Sequence, residues 1–403
     1  MEQARGNVSK RNEYALIFSL MAGYSVVYMD KLMVSTAILP IREQFGFSTA
    51  QAGMIMSFFF LGNSILQIPG GWLADKIGAK KTLMLSTGLI GLFSFAFGSV
   101  SSLVLFMIIR FCAGIGHCGY PPGCSKAVAD NFPKDRRTMI QSLMLSTSGI
   151  GGILASTIGT NLIHINWRYG YIALGCLFTL ACMLIALFVP NQMLEKPGIG
   201  EMNQPKIKFK EVITDRNVIV LSLSMMLLNF IGHGSMSWLP TYLSGKFDIS
   251  LTTIGKVMAI NSIFTTIATM LAGVLLSKLF LGKERGFIIV SSMIVAVLYF
   301  IFPMMDSLVG AALINVIMSV LFIGPFIAIF TWPHKIMDTS IIGTAIGIIN
   351  TGGMIGGFLG PMILGRVVDA NDGSFFPMYA VISVVTILCG LSVLGVRVST
   401  VSK

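Results

Sequence analysis

The chain has 403 residues, of which 54% are apolar and 11% charged, less than half of the roughly 25% charge of an ordinary soluble domain. A soluble globule of this length cannot hide so much apolar surface, which excludes a cytosolic enzyme, a nucleic-acid binder and a disordered scaffold. The 28 Lys and Arg against 17 Asp and Glu, a formal charge of +11, would mark a polyanion partner only if they formed one patch.

A bilayer core of about 30 Å takes about 20 apolar residues of helix. Twelve stretches meet that length: 14–40, 50–74, 82–100, 102–131, 138–163, 168–190, 217–241, 253–280, 286–304, 307–333, 340–366 and 375–396. The first is too long for a cleaved leader and is expected to stay as a membrane helix. Alternate connections, from Arg5 to Arg11, Lys76 to Lys81, Lys134 to Arg137, Lys196 to Arg216, Lys278 to Arg285, at Lys335 and after Arg397, hold 20 of the 28 basic residues. The other loops hold four, Arg42, Arg168, Lys246 and Arg366. Positive loops face the cytoplasm, so both termini are expected there, in a cell membrane, and the +11 reads as orientation. Six cysteines lie in apolar runs without a CxxC pair and are expected to be core thiols.

The chain repeats itself. LPIREQFGFSTAQAG, Leu39 to Gly53, is echoed by LPTYLSGKFDISLTTIG, Leu239 to Gly255. The offset of 202 also carries Gly71 onto Gly273, and GIGG at Gly149 is echoed by GMIGG at Gly353. The expectation is an all-α membrane protein of twelve helices in two six-helix bundles, residues 1–190 and 217–403, joined by a cytoplasmic linker at 191–216. Parallel repeats place a substrate site between the bundles near the midplane.

Between the second and third spans stands GGWLADKIGAKK, with Gly71, Asp75, Lys76, Gly78, Lys80 and Lys81. It resembles the loop signature of the major facilitator superfamily. Gly71 allows two helices to approach, Asp75 can face a neighbouring helix N-terminus, and the lysines face the cytoplasm. Within that superfamily the chain is most similar to the anion:cation symporters, the branch of sugar-acid, hexuronate and sialin-type carriers. The similar runs are YMDKLMVSTAILPI, LGNSILQIPGGWLAD, RFCAGIGHCGYPP, NFPKDRR and NTGGMIGG. It departs from the branch pattern at Lys31 in place of Arg, Asn63 in place of Tyr, His117 in place of Glu and Met354 in place of Asn. Those departures weaken transfer of a sugar-acid substrate and of a two-carboxylate proton pathway.

An ion near the bilayer centre costs roughly 2.5–3.5 kcal/mol on insertion scales, so an embedded charge is a functional candidate. Asp30 is the acidic residue deepest in a span, about 15 Å from the end of the first span near Pro40 at 1.5 Å per residue. Arg110 falls at similar depth, which predicts an Asp30–Arg110 pair. A paired carboxylate that loses its partner when a ligand arrives can couple a proton to transport. His117 shares a helical face with Arg110 and titrates near neutral pH. Asp30, Arg110 and His117 are therefore the proton-coupling candidates, against the alternative that they only order the bundle.

Lys31 shares a stripe with Tyr24, Tyr28 and Ser35, which reads as a cavity wall or as packing. Asn63, Gln141, Ser148, Asn229, His233, Asn261 and Asn350 complete the substrate-binding candidates. Lys126 is expected to snorkel toward the headgroups. Two deep cations against one carboxylate favour proton-coupled uptake of a small organic anion, such as a carboxylate or sugar acid. A proton-coupled exporter of drugs or metabolites and an organic anion or phosphate exchanger stand as alternatives. The expected partners are that anion, a proton with sodium as the alternative, and the bilayer, with a monomer as the working unit. No nucleophile motif, Walker loop or metal-ligand spacing is present, so neither enzymatic chemistry nor a cofactor or metal is expected.

Overall fold

The computed structural model describes residues 10–191, 209–278, 283–337 and 342–397; the expected linker lies mostly outside them. Among the described residues there are helices and no strand. In chain order these are α1 (Lys10–Phe45), α2 (Thr49–Ile77), α3 (Ala79–Ser99), α4 (Leu103–His117), α5 (Tyr120–Asn131), α6 (Lys134–Leu154), α7 (Thr160–Ile165), α8 (Trp167–Phe188), α9 (Phe209–Ile213), α10 (Arg216–Phe247), α11 (Leu251–Lys278), α12 (Glu284–Ile301), α13 (Leu308–Thr331), α14 (Pro333–Ile336), α15 (Ile342–Asp369) and α16 (Phe376–Ser392). They supply twelve segments long and apolar enough to cross a membrane. Large apolar side chains such as Leu92, Leu187, Val297 and Leu313 are exposed on their outer faces. That is where a bilayer replaces water as the solvent and no hydrophobic cost arises.

Three spans differ from their sequence-based limits. The first and seventh run on through Pro40 and Pro240 to Phe45 and Phe247. A proline removes one backbone donor but does not stop a helix whose neighbours hold it. Asp30 therefore lies about 22 Å from the end of α1, counted at 1.5 Å per residue, deeper than the sequence suggests. The fourth span is broken after His117, and α5 restarts at Tyr120 with prolines in its first turn. Pro121 and Pro122 have no N–H to give the carbonyls of His117 and Cys118, so the ladder stops there. The Gly116 carbonyl instead accepts a hydrogen bond from the Ser86 hydroxyl of α3.

The repeat reappears as matched structural devices. Gly46 and Asp248, 202 positions apart, both take positive φ, 67° and 49°. Ser48 and Ser250 follow, and each hydroxyl accepts the backbone N–H three residues on, from Gln51 at 3.2 Å and Thr253 at 3.3 Å. Gln51 returns the favour to the Ser48 N–H at 2.9 Å, completing a capping box. Gly53 and Gly255 then let their helices touch the other half of the chain. A Cβ at Gly53 would stand 2.5 Å from the Pro361 carbonyl oxygen of α15, and one at Gly255 would strike the Ser156 carbonyl. Ser156 belongs to a wider turn at Ala155–Gly159 inside the fifth span.

These contacts fasten the face opposite the basic loops. Asp369, the last residue of α15, accepts the first backbone N–H groups of α2, from Thr49 at 3.0 Å and Ala50 at 2.7 Å. A carboxylate at a helix N-terminus meets both free donors and the positive end of the helix dipole.

Candidate transport site

The site starts from two adjacent residues of α1, whose side chains diverge by about 100° on a helix of 3.6 residues per turn. Asp30 points into the first six-span group and is 1% exposed. Its Oδ1 accepts from Arg110 Nη1 at 3.2 Å and its Oδ2 meets His117 Nε2 at 2.9 Å. An ionised carboxylate only accepts, so Nε2 of His117 carries the hydrogen in this bond. Both partners come from α4, two turns apart on one face, and the break after His117 leaves that imidazole at a helix end. Phe59 of α2 lies against both, 4.6 Å from the Arg110 guanidinium and 4.6 Å centroid to centroid from His117. Arg110 Nε is buried without a hydrogen-bond partner.

Lys31 points the other way, into a cavity between the two halves of the chain. The cavity measures about 20 Å³, enough for about one water. One wall comes from α1, α2 and α4 with Lys31, Ser35, Met56, Phe60 and Arg110; the other comes from α10 with His233, Met236 and Ser237. The Lys31 ammonium sits 5.4 Å from the Phe60 centroid, and the His233 ring lies 4.4 Å from the same centroid. Ion pairs among the described residues include Arg110–Asp30, His117–Asp30, Lys126–Asp75 and Arg136–Glu13, and none of these includes Lys31.

Of the sequence-predicted residues, Lys31, Arg110 and His233 line the cavity, and Asp30 and His117 are tied to it through Arg110. The others stand apart. Tyr24 stacks on Tyr28 and tilts against Tyr120, each at 5.1 Å, so the stripe packs toward α5 rather than continuing the Lys31 wall. Asn63 backs the tight crossing of α2 over Gly114. Gln141 donates to Ser125 at 3.1 Å, and Ser148 and Asn229 bond carbonyls of their own helices at 2.9 Å. Asn261 on α11 has its side-chain oxygen buried without a partner, and Asn350 is half-buried on α15; neither lines the cavity.

In the loop motif, Asp75 does not cap α3, whose N-cap Gly78 has positive φ and no side-chain bond. Asp75 pairs with Lys126 of α5 at 3.6 Å instead, so Lys126 has a protein partner besides any headgroup. Gly71 has open space around it, and Lys76 lies 4.5 Å from the Trp72 ring. Lys80 is half-buried and Lys81 exposed at the start of α3.

Phe59, Phe60, Ser237, Gly53 and Asp369 were not among the expected residues. Two signals point to some of them. Pro121–Pro122 marks the break beside His117, and Gly365-Arg-Val-Val-Asp369 repeats, at the end of α15, the Gly-x-x-x-Asp spacing of Gly71 to Asp75.

A family model described as Major Facilitator Superfamily matches residues 20–361. The chain belongs to the Major Facilitator Superfamily. It is a multi-pass membrane transporter and not an enzyme. Among its curated relatives is a probable sulfoacetate transporter of Cupriavidus necator, 25% identical over 372 residues, covering 87% of this chain and 86% of that protein. Another is the hexuronate transporter of Bacillus subtilis, 24% identical over 403 residues, covering 96% and 94%. Such relatives agree with the resemblance of the span motifs to the anion:cation symporter branch. The bacterial homologue of the human lysosomal transporter Spinster shares the fold, with a TM-score of 0.79 at 18% identity and 96% of each chain covered.

Proposed function

We propose that this transporter carries a small organic anion inward across the cell membrane together with a proton, by alternating access. The observation that carries the reading is Lys31, a cation at membrane depth, in a cavity between the halves, with no carboxylate paired to it among the described residues. A buried charge persists only when something offsets it, and an anionic substrate is what this cavity would offset it with. The relatives named for sulfoacetate and hexuronate transport support an organic acid as that anion.

Proton coupling rests on the neighbouring cluster. Asp30 stands between Arg110 and His117 within 3.2 Å, and Arg110 also lines the cavity. An anion arriving at Lys31 competes with Asp30 for the Arg110 guanidinium. When that partner turns to substrate, Asp30 loses the charge that favours its ionised form and takes up a proton. The site then carries anion and proton together.

The moving units in this reading are residues 1–190 and 217–403, with 191–216 as the connection, working as a monomer. The basic loops face the cytoplasm, which makes the face fastened by Asp369 the external one. Purified full-length protein in vesicles tests the reading. Uptake of sulfoacetate or a hexuronate should respond to an imposed proton gradient, with each proton carried per substrate giving about tenfold accumulation per pH unit, the equivalent of about 1.36 kcal/mol. Asp30→Asn should keep counterflow exchange and lose accumulation. Uptake that follows a sodium gradient and ignores pH, or accumulation by Asp30→Asn at the wild-type level, refutes the coupling.

A further inference from the structure

The cavity has two walls of different chemistry. The α1 and α4 wall offers two basic side chains, Lys31 and Arg110, whereas the α10 wall offers His233 and, one turn on, Ser237. His233 makes no hydrogen bond to any described residue, and its ring is held in place by the Phe60 face at 4.4 Å. It also sits against Gly357 of α15, where a Cβ would stand 3.1 Å from its Cδ2 and 2.7 Å from Phe60. The absence of a side chain at 357 is what lets the imidazole sit tilted against the ring, at an interplanar angle of 39°.

The groups facing His233 are accounted for by element. From α1 comes Lys31, from α4 comes Arg110 with Asp30 and His117 bonded behind it, from α2 come Phe60 and Met56, and from α15 comes Gly357. No carboxylate among the described residues faces it. The nearest charges in the cavity are cations, so a protonated His233 has no counter-ion among the described residues.

We infer that His233 is the specificity-determining residue for a second acidic group, and that the substrate is a small dianion bridging Lys31 on one bundle and His233 with Ser237 on the other. This rests on the organic-anion reading above and goes beyond it in fixing the number of acidic groups. Lys31 and His233 lie within about 10 Å of each other, because they contact the same Phe60 ring at 5.4 and 4.4 Å from its centroid. Charge-assisted contacts of about 2.8 Å at each end leave at most about 4 Å between the two bound oxygens, the reach of a short dianion, and the walls, which enclose room for about one water, must part to admit it. The second negative charge supplies the counter-ion that a protonated imidazole lacks, so the dianion brings a proton onto His233 when it binds. A monoanion satisfies Lys31 alone and leaves the α10 wall untouched. Only an occupant that touches both walls binds the closed cavity better than the open one, and only that difference can drive closure.

The test uses matched pairs that differ by one acidic group. Galactarate is compared with galacturonate, and sulfoacetate with its carboxyl methyl ester, by thermal-shift titration of purified full-length protein at pH 6 and pH 8. In the wild type the dianion of at least one pair should bind at least tenfold more tightly than its monoanion, with the larger ratio at pH 6. In His233→Leu, and in His233→Gln if the first variant does not fold, that ratio should fall to about one. Equal affinities within both pairs in the wild type overturn the inference, as does a His233 variant that keeps the wild-type ratio. Lys31→Met should weaken every member of both pairs. If it does not, or if no member binds the wild type, the organic-anion reading itself fails and takes the inference with it.

Discussion

Replacing one member of the Asp30–Arg110 pair should cost far more than replacing both. The two charges are 3.2 Å apart, and each side chain is 2% exposed. At an effective dielectric constant near 20, unit charges at that distance attract by about 5 kcal/mol, set against the cost of taking both out of water. Asp30→Asn keeps the shape but leaves Arg110 buried without its counter-ion, and breaking a buried pair in this way costs about 3–5 kcal/mol. Arg110→Met leaves Asp30 with His117 alone, at 2.9 Å. The double variant removes both charges and should lie well above the sum of the singles, with a coupling of about 2 kcal/mol or more. Reversible unfolding in mixed micelles, monitored by near-ultraviolet circular dichroism, reads all four corners of the cycle. Additivity within about 0.5 kcal/mol, or an Asp30→Asn protein as stable as the wild type, would refute the pairing argument.

Asp369→Ala removes the carboxylate that meets Thr49 and Ala50 N–H groups. It should shift the population toward separation of the face opposite the basic loops. Spin labels at Glu43 and Ser374, both exposed on that face, should show longer distances than in the parent, and an unchanged distribution would deny the latch. Two of the glycines of α2, Gly53 and Gly62, should behave differently. Gly62→Val drives a side chain into the Phe111 backbone of α4 within the first six spans and should cost about 1–3 kcal/mol of folding stability. Gly53→Val instead meets the Pro361 and Met362 backbone of α15 first. It should therefore leave the melting temperature near the parent's and lengthen the same label distance; a melting temperature that falls as far as that of Gly62→Val would show the two contacts are alike.

Local chemistry decided a large part of this protein. Apolar runs of bilayer length determine the twelve spans, because in lipid a chain must satisfy its own backbone groups. The half-chain repeat was legible as Phe-x-[Phe/Ile]-Ser with its Gly, and those residues are the turn, cap and close-approach positions of α2 and α11. The pairing of Asp30 with Arg110 followed from depth, since rise per residue is constant along a helix. Depth does not say which face looks inward. Tyr24, Tyr28 and Lys31 occupy one stripe of α1, yet Tyr24, with Tyr28 stacked on it, packs against Tyr120, 96 positions on, while the lysine reaches the cavity beside Phe60. That division depends on how α5 and α10 cross α1, which no spacing along α1 encodes. The same holds for His233 meeting Lys31 across Phe60, and for Asp369 reaching the start of α2 from 320 residues away. Sequence determined which charges lie in the membrane; packing of the two halves decided which of them are paired and which faces the cavity without a carboxylate partner among the described residues.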